Sequence, residues 1–284
     1  MYTIMGVTGQ VGSAVAHQLL AAGKPVRAVV RSTEKGQVWA ERGCEVAIAD
    51  VNDVSALTEA FQNSTAMFIL LPPNFSPSEG FPETRQVIAH LHEALATAQP
   101  GKVVCISTIG AQATQPNLLN QLQLLENSLS TLALPVTFLR PGWFMENCLW
   151  DIEPAVREGV IPSFLQPLDK AVPMIATADV GRVAAELLQE HWFGKRIVEL
   201  EGEHVTPLHI ANTFSELLGK PVTTEAVPRE TWQALFTAQG MSNPLPRMQM
   251  LDGFNEGWIR FEGVPRQGKV VLKTVLQGLL ARQA

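Results

Sequence analysis

From Tyr2 to Arg140 the chain repeats one pattern about five times: a short apolar or β-branched run, then a stretch whose apolar positions recur at helical spacing. That alternation predicts βαβ units and a parallel sheet, with right-handed crossovers that lay helices on both faces. Strands are expected over 2–7, 26–30, 45–49, 66–71, 102–107 and 136–139. Between them, 10–22 reads as a helix stopped by Gly23, and 82–98 as one opened by Pro82, whose fixed φ suits a first helical turn. Beyond Arg140 the alternation fades, proline becomes frequent, and helices are predicted over 178–190, 207–218, 228–238 and from about Gly268. The division that follows is a doubly wound α/β domain over 1–150 and a smaller α/β lobe over 151–284, exchanging some chain within one compact unit.

The 284 residues are 46% apolar and 17% charged, enough to bury a large core and too apolar for a disordered chain. Cys44, Cys105 and Cys148 stand far apart without a CxxC pair, which argues for reduced, buried thiols and against a disulfide framework or a zinc site. No apolar run is long enough to span a bilayer, and the N-terminus enters a strand pattern directly, so a cytoplasmic protein without a membrane partner is expected. The net charge of −6, with scattered basic residues, speaks against direct nucleic-acid binding.

The first strand runs straight into Gly6-Val-Thr8-Gly9-Gln10-Val11-Gly12, which in turn opens the first helix. Strand, glycine turn and helix in that order suit a Rossmann-type dinucleotide site. The glycines permit the tight turn and the close approach of a pyrophosphate, and the helix N-terminus offers unpaired N–H groups to it. An acidic residue after the second strand would read an unphosphorylated ribose; this chain has Arg31 there, followed by Ser32 and Thr33, with Lys35 nearby. Arginine and hydroxyl suit a 2′-phosphate, so NADP(H) is the preferred cofactor and NAD(H) the second choice. Asp50, next to Val51 after the third strand, either accepts from the adenine amino group or opens the helix before Val54. Leu71-Pro72-Pro73 turns the chain out of the sheet at its carboxyl edge, either against the cofactor or simply as a strand end.

Taken with Val29-Val-Arg31, Ile48-Ala-Asp50, Phe68 to Pro73, Val104 to Gly110, Leu125-Glu126 to Leu129, Leu139 to Asn147 and Gly253 to Trp258, the glycine turn resembles the NmrA-like group of atypical short-chain dehydrogenases/reductases. The likeness spans most of the chain. It implies a Rossmann fold and NADP(H), and it extends both to quinone and triphenylmethane-dye reductases and to redox-sensing regulators. Most members of the wider superfamily use a Tyr-x-x-x-Lys pair for proton transfer, but the one tyrosine here, Tyr2, lies in the first strand. The lysine that some relatives keep four residues before the glutamate matched by Glu126 is replaced by Leu122. No catalytic residue is assigned. Ser107 and Thr108 fall where the superfamily places a hydroxyl near the nicotinamide and are expected to orient the cofactor or to serve structurally. His17, His90 and His92 lack metal-ligand spacing, and no metal site is expected.

Arg140-Pro-Gly-Trp143-Phe144-Met-Glu-Asn147 begins at the carboxyl end of the sixth strand, where ligands of open α/β sheets bind. Trp143, Phe144 and Asn147 read as a substrate wall with one orienting amide, or else as packing between sheet and lobe. Phe254 and Trp258, four apart, are expected to share a helix face and either close that pocket or join the core. The sequence therefore suggests an NADP(H)-dependent oxidoreductase acting on quinone-like or other electrophilic small molecules without the Tyr-Lys dyad. The alternative is a non-catalytic redox sensor that acts through a protein partner.

Overall fold

The computed structural model describes residues 1–283. In chain order the strands are β1 (Tyr2–Met5), β2 (Val26–Val30), β3 (Glu45–Ile48), β4 (Ala66–Ile69), β5 (Val103–Ile106), β6 (Val136–Pro141), β7 (Trp143–Phe144), β8 (Val160–Ser163), β9 (Val172–Ile175), β10 (Lys195–Glu201), β11 (His204–Val205), β12 (Thr223–Ala226) and β13 (Arg266–Gln267). Eight of them form one sheet in the order β13-β10-β6-β5-β4-β1-β2-β3, and every pairing in it is parallel. The order reverses at β1, so the carboxyl ends of β1 and its neighbours open the crevice where such sheets bind ligands.

Successive strand residues face opposite sides, and the core follows that period of two. Ile4, Ala28, Val30, Phe68, Val104 and Leu139 meet the helices Gln10–Ala21 and Thr177–Gln189 on one face. Met5, Val29, Met67, Ile69, Val103 and Phe138 meet Val54–Phe61, Pro82–Ala98 and Asn120–Leu129 on the other. A third cluster is built around Met145, Phe214, Trp232, Phe236 and Phe254. Two small sheets, β11-β9-β7 and β12-β8, accompany it.

Six strands of the large sheet lie where the apolar runs place them; β2 matches its expected range, β6 runs on to Pro141, and the other four are shorter. β1 stops at Met5 because Gly6 turns left-handed, and β4 stops at Ile69 as the chain approaches two prolines that lack the N–H a ladder needs. β10 and β13 were not foreseen: the chain returns to the large sheet after residue 150, first through Thr177–Gln189 and then through both strands. The stretch 228–238 is broken into a 3-10 turn, Arg229–Thr231, and a helix, Trp232–Ala238. The last helix begins at Leu272, later than Gly268, because the preceding residues are held otherwise. Gly268 N donates to Glu201 O, and the amides of Lys269 and Val270 donate to Asp179 Oδ2 at 2.6 and 2.7 Å. Cys44, Cys105 and Cys148 are buried and unpaired. Among the described residues no helix is long and apolar enough to cross a membrane.

Candidate functional site

β1 delivers the chain into Gly6, whose φ of +68° is left-handed and whose added β-carbon would lie 2.4 Å from Leu70 Cδ2. Gly9 N–H closes the turn on Gly6 O at 2.9 Å. A β-carbon on Gly12 would meet Gly6 O at 2.3 Å and Met5 O at 2.8 Å, so the helix start sits directly on the strand end. Gly9 has only Gly6 O, at 3.4 Å, near its missing side chain, which leaves its outer side open to a phosphate. Ser13 N to Gly9 O is the first helical bond, so the amides of Gln10, Val11 and Gly12 have no partner within the helix. Thr8, Gly9 and Gln10 are exposed around this cradle. An open glycine, free amides and a helix dipole fit a pyrophosphate.

Arg31, the first residue beyond β2, is exposed and has no ion-pair partner among the described residues. Ser32 caps the helix Thr33–Ala40; its Oγ accepts from Lys35 N at 3.4 Å, which leaves the hydroxyl proton available to an incoming acceptor. Arg31, the Ser32 hydroxyl and the N-terminus of Thr33–Ala40 thus follow one another directly beyond β2.

Asp50 is not the helix opener. Asp53 caps Val54–Phe61 by accepting from Ala56 N, whereas Asp50 Oδ1 binds Asn52 N and Nδ2, each at 2.9 Å. Asp50 remains exposed, and Val51 O already accepts from His90 Nδ1 at 3.0 Å. Leu71 and Pro72 are half-buried and Pro73 exposed, just past the end of β4.

The two hydroxyls after β5 have different fates. Ser107 is buried and donates to Glu126 Oε1 at 2.5 Å, so its single proton is committed and only acceptance remains. Thr108 is half-buried and its hydroxyl has no bond among the described residues. Glu126, on the helix Asn120–Leu129, holds Arg140 of β6 in a bidentate pair, Nε–Oε1 2.8 Å and Nη2–Oε2 2.7 Å. Arg140 Nη1 donates to Gln112 Oε1 at 3.2 Å and to Glu262 Oε2, with Glu199 Oε1 at 3.9 Å. Burial disfavours the Arg140 charge, but the bonds to Glu126 and Glu262 outweigh it and raise its pKa further. Sequence reasoning missed this network, although Glu126 and Arg140 both sat within its quoted motifs.

The aromatic residues of the expected substrate wall separate. Trp143 packs edge-on against the buried Phe254, with ring centroids 5.1 Å apart, and Phe144 packs against the core of the large sheet. Asn147 is exposed on the 3-10 turn Met145–Asp151. Phe254 and Trp258 do not share a helix face. The helix Leu245–Glu256 ends at Gly257, φ +89°, and the Trp258 ring folds back to within 2.6 Å of where a Gly253 β-carbon would stand. Trp258 instead lines a cleft of about 830 Å³ between 112–115 and 256–262, where the other four residues do not reach. Asn255 is structural: its amide accepts from Gln166 N and donates to Phe164 O, both at 2.9 Å.

The strand order and the glycine turn at the end of β1 define a Rossmann-type α/β fold. The NmrA-like family model matches residues 2–257, and the chain belongs to that family. It is similar to the NAD(P)H azoreductase of Xenophilus azovorans, 28% identical over 253 residues that cover 86% of this chain and 83% of the relative. It is likewise similar to quinone oxidoreductase 2 of Escherichia coli (strain K12), 27% identical over 251 residues, 87% of this chain and 85% of that one. The crystal structure of an Escherichia coli NADPH-dependent quinone oxidoreductase complexed with NADPH superposes with a TM-score of 0.81 at 24% identity. It covers 99% of this chain and 100% of the other, and it shows the shared fold.

Proposed function

We propose that the protein is an NADP(H)-dependent oxidoreductase that reduces quinone-like or other electrophilic small molecules. The observation that carries this reading is Arg31, exposed and without an ion-pair partner among the described residues, beside the Ser32-capped helix and on the same sheet edge as the open glycine turn. The amides of Gln10, Val11 and Gly12 bind the pyrophosphate, and Arg31 with Ser32 selects the 2′-phosphate. NADPH, when bound, supplies the hydride. Thr108 offers a free hydroxyl to the nicotinamide end, and Ser107 Oγ offers lone pairs while Glu126 keeps its proton.

The lone tyrosine, Tyr2, pairs with Val26 inside the sheet and cannot serve as an acid at the carboxyl edge. The chain's task is then to bind and orient both reactants, with protons taken from water. Quinones and conjugated electrophiles tolerate that arrangement, because hydride addition to them needs no concerted proton donor; ketones do not. The relatives named for quinone and azo-compound reduction support the same class. Purified protein is expected to oxidise NADPH saturably with a member of a panel of quinones, enones and azo dyes. Tight, redox-dependent nucleotide binding without turnover on any of them would overturn the reductase reading in favour of a sensor.

A further inference from the structure

The segment from Trp258 to Gly263 forms neither helix nor strand, yet it supplies Trp258, Arg260, Phe261 and Glu262 to one wall of the 830 Å³ cleft. Such a strap has no ladder to fix its place; the buried Ile259, whose N–H donates to Gly253 O at 3.1 Å, anchors its start, and side-chain ties hold the rest. Glu199, buried in β10, takes Glu262 N on one oxygen at 2.9 Å and Gly263 N on the other at 2.7 Å. From the opposite wall, Gln112 Nε2 donates to Arg260 O at 2.7 Å. One guanidinium nitrogen, Arg140 Nη1, reaches Gln112 Oε1 on one wall and Glu262 Oε2 on the other. The remaining corner of the same guanidinium grips Glu126, which holds Ser107 at the end of β5.

We infer that Glu262 is a positioning residue for the electron acceptor. Its carboxylate, clamped on Arg140, sets the strap as one wall of the acceptor's cleft and ties that wall to the Ser107 end of the sheet. The cleft falls within the size range of small-molecule sites, and Trp258 and Phe261 add aromatic surface to a lining that is otherwise mainly polar, as suits a flat acceptor with carbonyl oxygens. Arg140 and Glu126 are deeply buried, but the Glu262 side chain is 51% exposed, so it can be changed without leaving an uncompensated charge in the core. This inference rests on the reductase reading for its kinetic test, and a binding test frees it from that reading.

In NADPH-dependent reduction of 1,4-naphthoquinone, Glu262→Ala is expected to raise the KM for the quinone roughly fivefold, as loss of one half-exposed charged hydrogen bond would do. The KM for NADPH and kcat stay within about twofold. Glu262→Gln, whose amide oxygen still accepts from Arg140 Nη1, recovers most of the loss. In parallel, quenching of tryptophan fluorescence reads naphthoquinone binding to the NADP⁺-loaded protein, with Trp258→Phe marking the share that comes from the strap. Weaker quinone binding in Glu262→Ala with NADP⁺ affinity kept supports the latch even if the wild-type protein turns nothing over. Unchanged quinone KM and binding in Glu262→Ala, or equal losses for quinone and nucleotide, would overturn it. A wild-type protein that binds no naphthoquinone would overturn it as well.

Discussion

The β1–β2 end of the sheet and the β5–β6–β10 end present opposite kinds of chemistry at one carboxyl edge. At the first, the groups on offer are backbone amides, a bare glycine and an arginine without an ion-pair partner among the described residues. At the second, polar side chains are bonded to one another: Ser107 to Glu126, Glu126 to Arg140, and Arg140 to Gln112 and Glu262. A backbone cradle needs a strand, a turn and a helix in sequence, and its few residues are contiguous. A side-chain network needs distant strands brought side by side, and in return it fixes elements that have no ladder of their own.

Variants that remove each kind of support put the contrast to the test. The largest effect is expected at the networked end. Glu126→Leu leaves Arg140 buried beside a reduced set of partners and should cost about 3–5 kcal/mol of stability in urea denaturation. A cost under about 1 kcal/mol would mean that Glu262 and Glu199 suffice to hold the guanidinium. At the cradle end, Gly12→Ala drives a methyl into Gly6 O, and NADPH affinity measured by titration calorimetry should fall about two orders of magnitude. Arg31→Ala should weaken NADPH roughly tenfold to a hundredfold and NADH by no more than about twofold. Equal losses for the two nucleotides would remove Arg31 from the 2′-phosphate.

The last effect concerns the lobe. Burial pushes the Asp151 carboxyl from 3.8 up to about 7, against the lowering effect of its bond with Cys148. Within that window the folded protein keeps a proton that the unfolded chain has released, so stability falls as pH rises and levels off above the upper value. Asp151→Asn removes this loss. It should stabilise the protein most at pH 8, by up to about 4 kcal/mol if the shift is fully expressed, and progressively less toward pH 4, read from urea midpoints across that range. A gain that is independent of pH would point to packing instead.

The same contrast explains what the sequence disclosed. The placement of Gly6, Gly9 and Gly12 between β1 and the first helix, and of Arg31 just past β2, is legible because strand, turn, helix and strand end follow one another within a single βαβ unit. The network was not, because its members lie 14, 19 and 122 residues apart in sequence, and nothing in local periodicity pairs Arg140 with Glu262. Trp143 and Phe254 illustrate a different limit. An aromatic residue has the same signature whether it lines a cavity or packs on another ring, and here the two meet edge to edge in the lobe. The spacing from Phe254 predicts a helix through Trp258, but Gly257 ends that helix one residue earlier and sends the indole to the cleft. The signal that would have found it is the glycine itself, a common left-handed helix terminator. β10 went unread because Lys195 and Arg196 open it, although Ile197-Val198-Glu-Leu200 after Gly194 has strand character.

The most direct test of the account is NADPH oxidation by the purified protein, followed at the nicotinamide absorbance band with 1,4-naphthoquinone as acceptor and NADH in parallel. Saturable turnover with NADPH is expected, with a markedly higher KM for NADH. Nucleotide binding with no oxidation of either cofactor, on naphthoquinone or on any other acceptor of the panel, would contradict it.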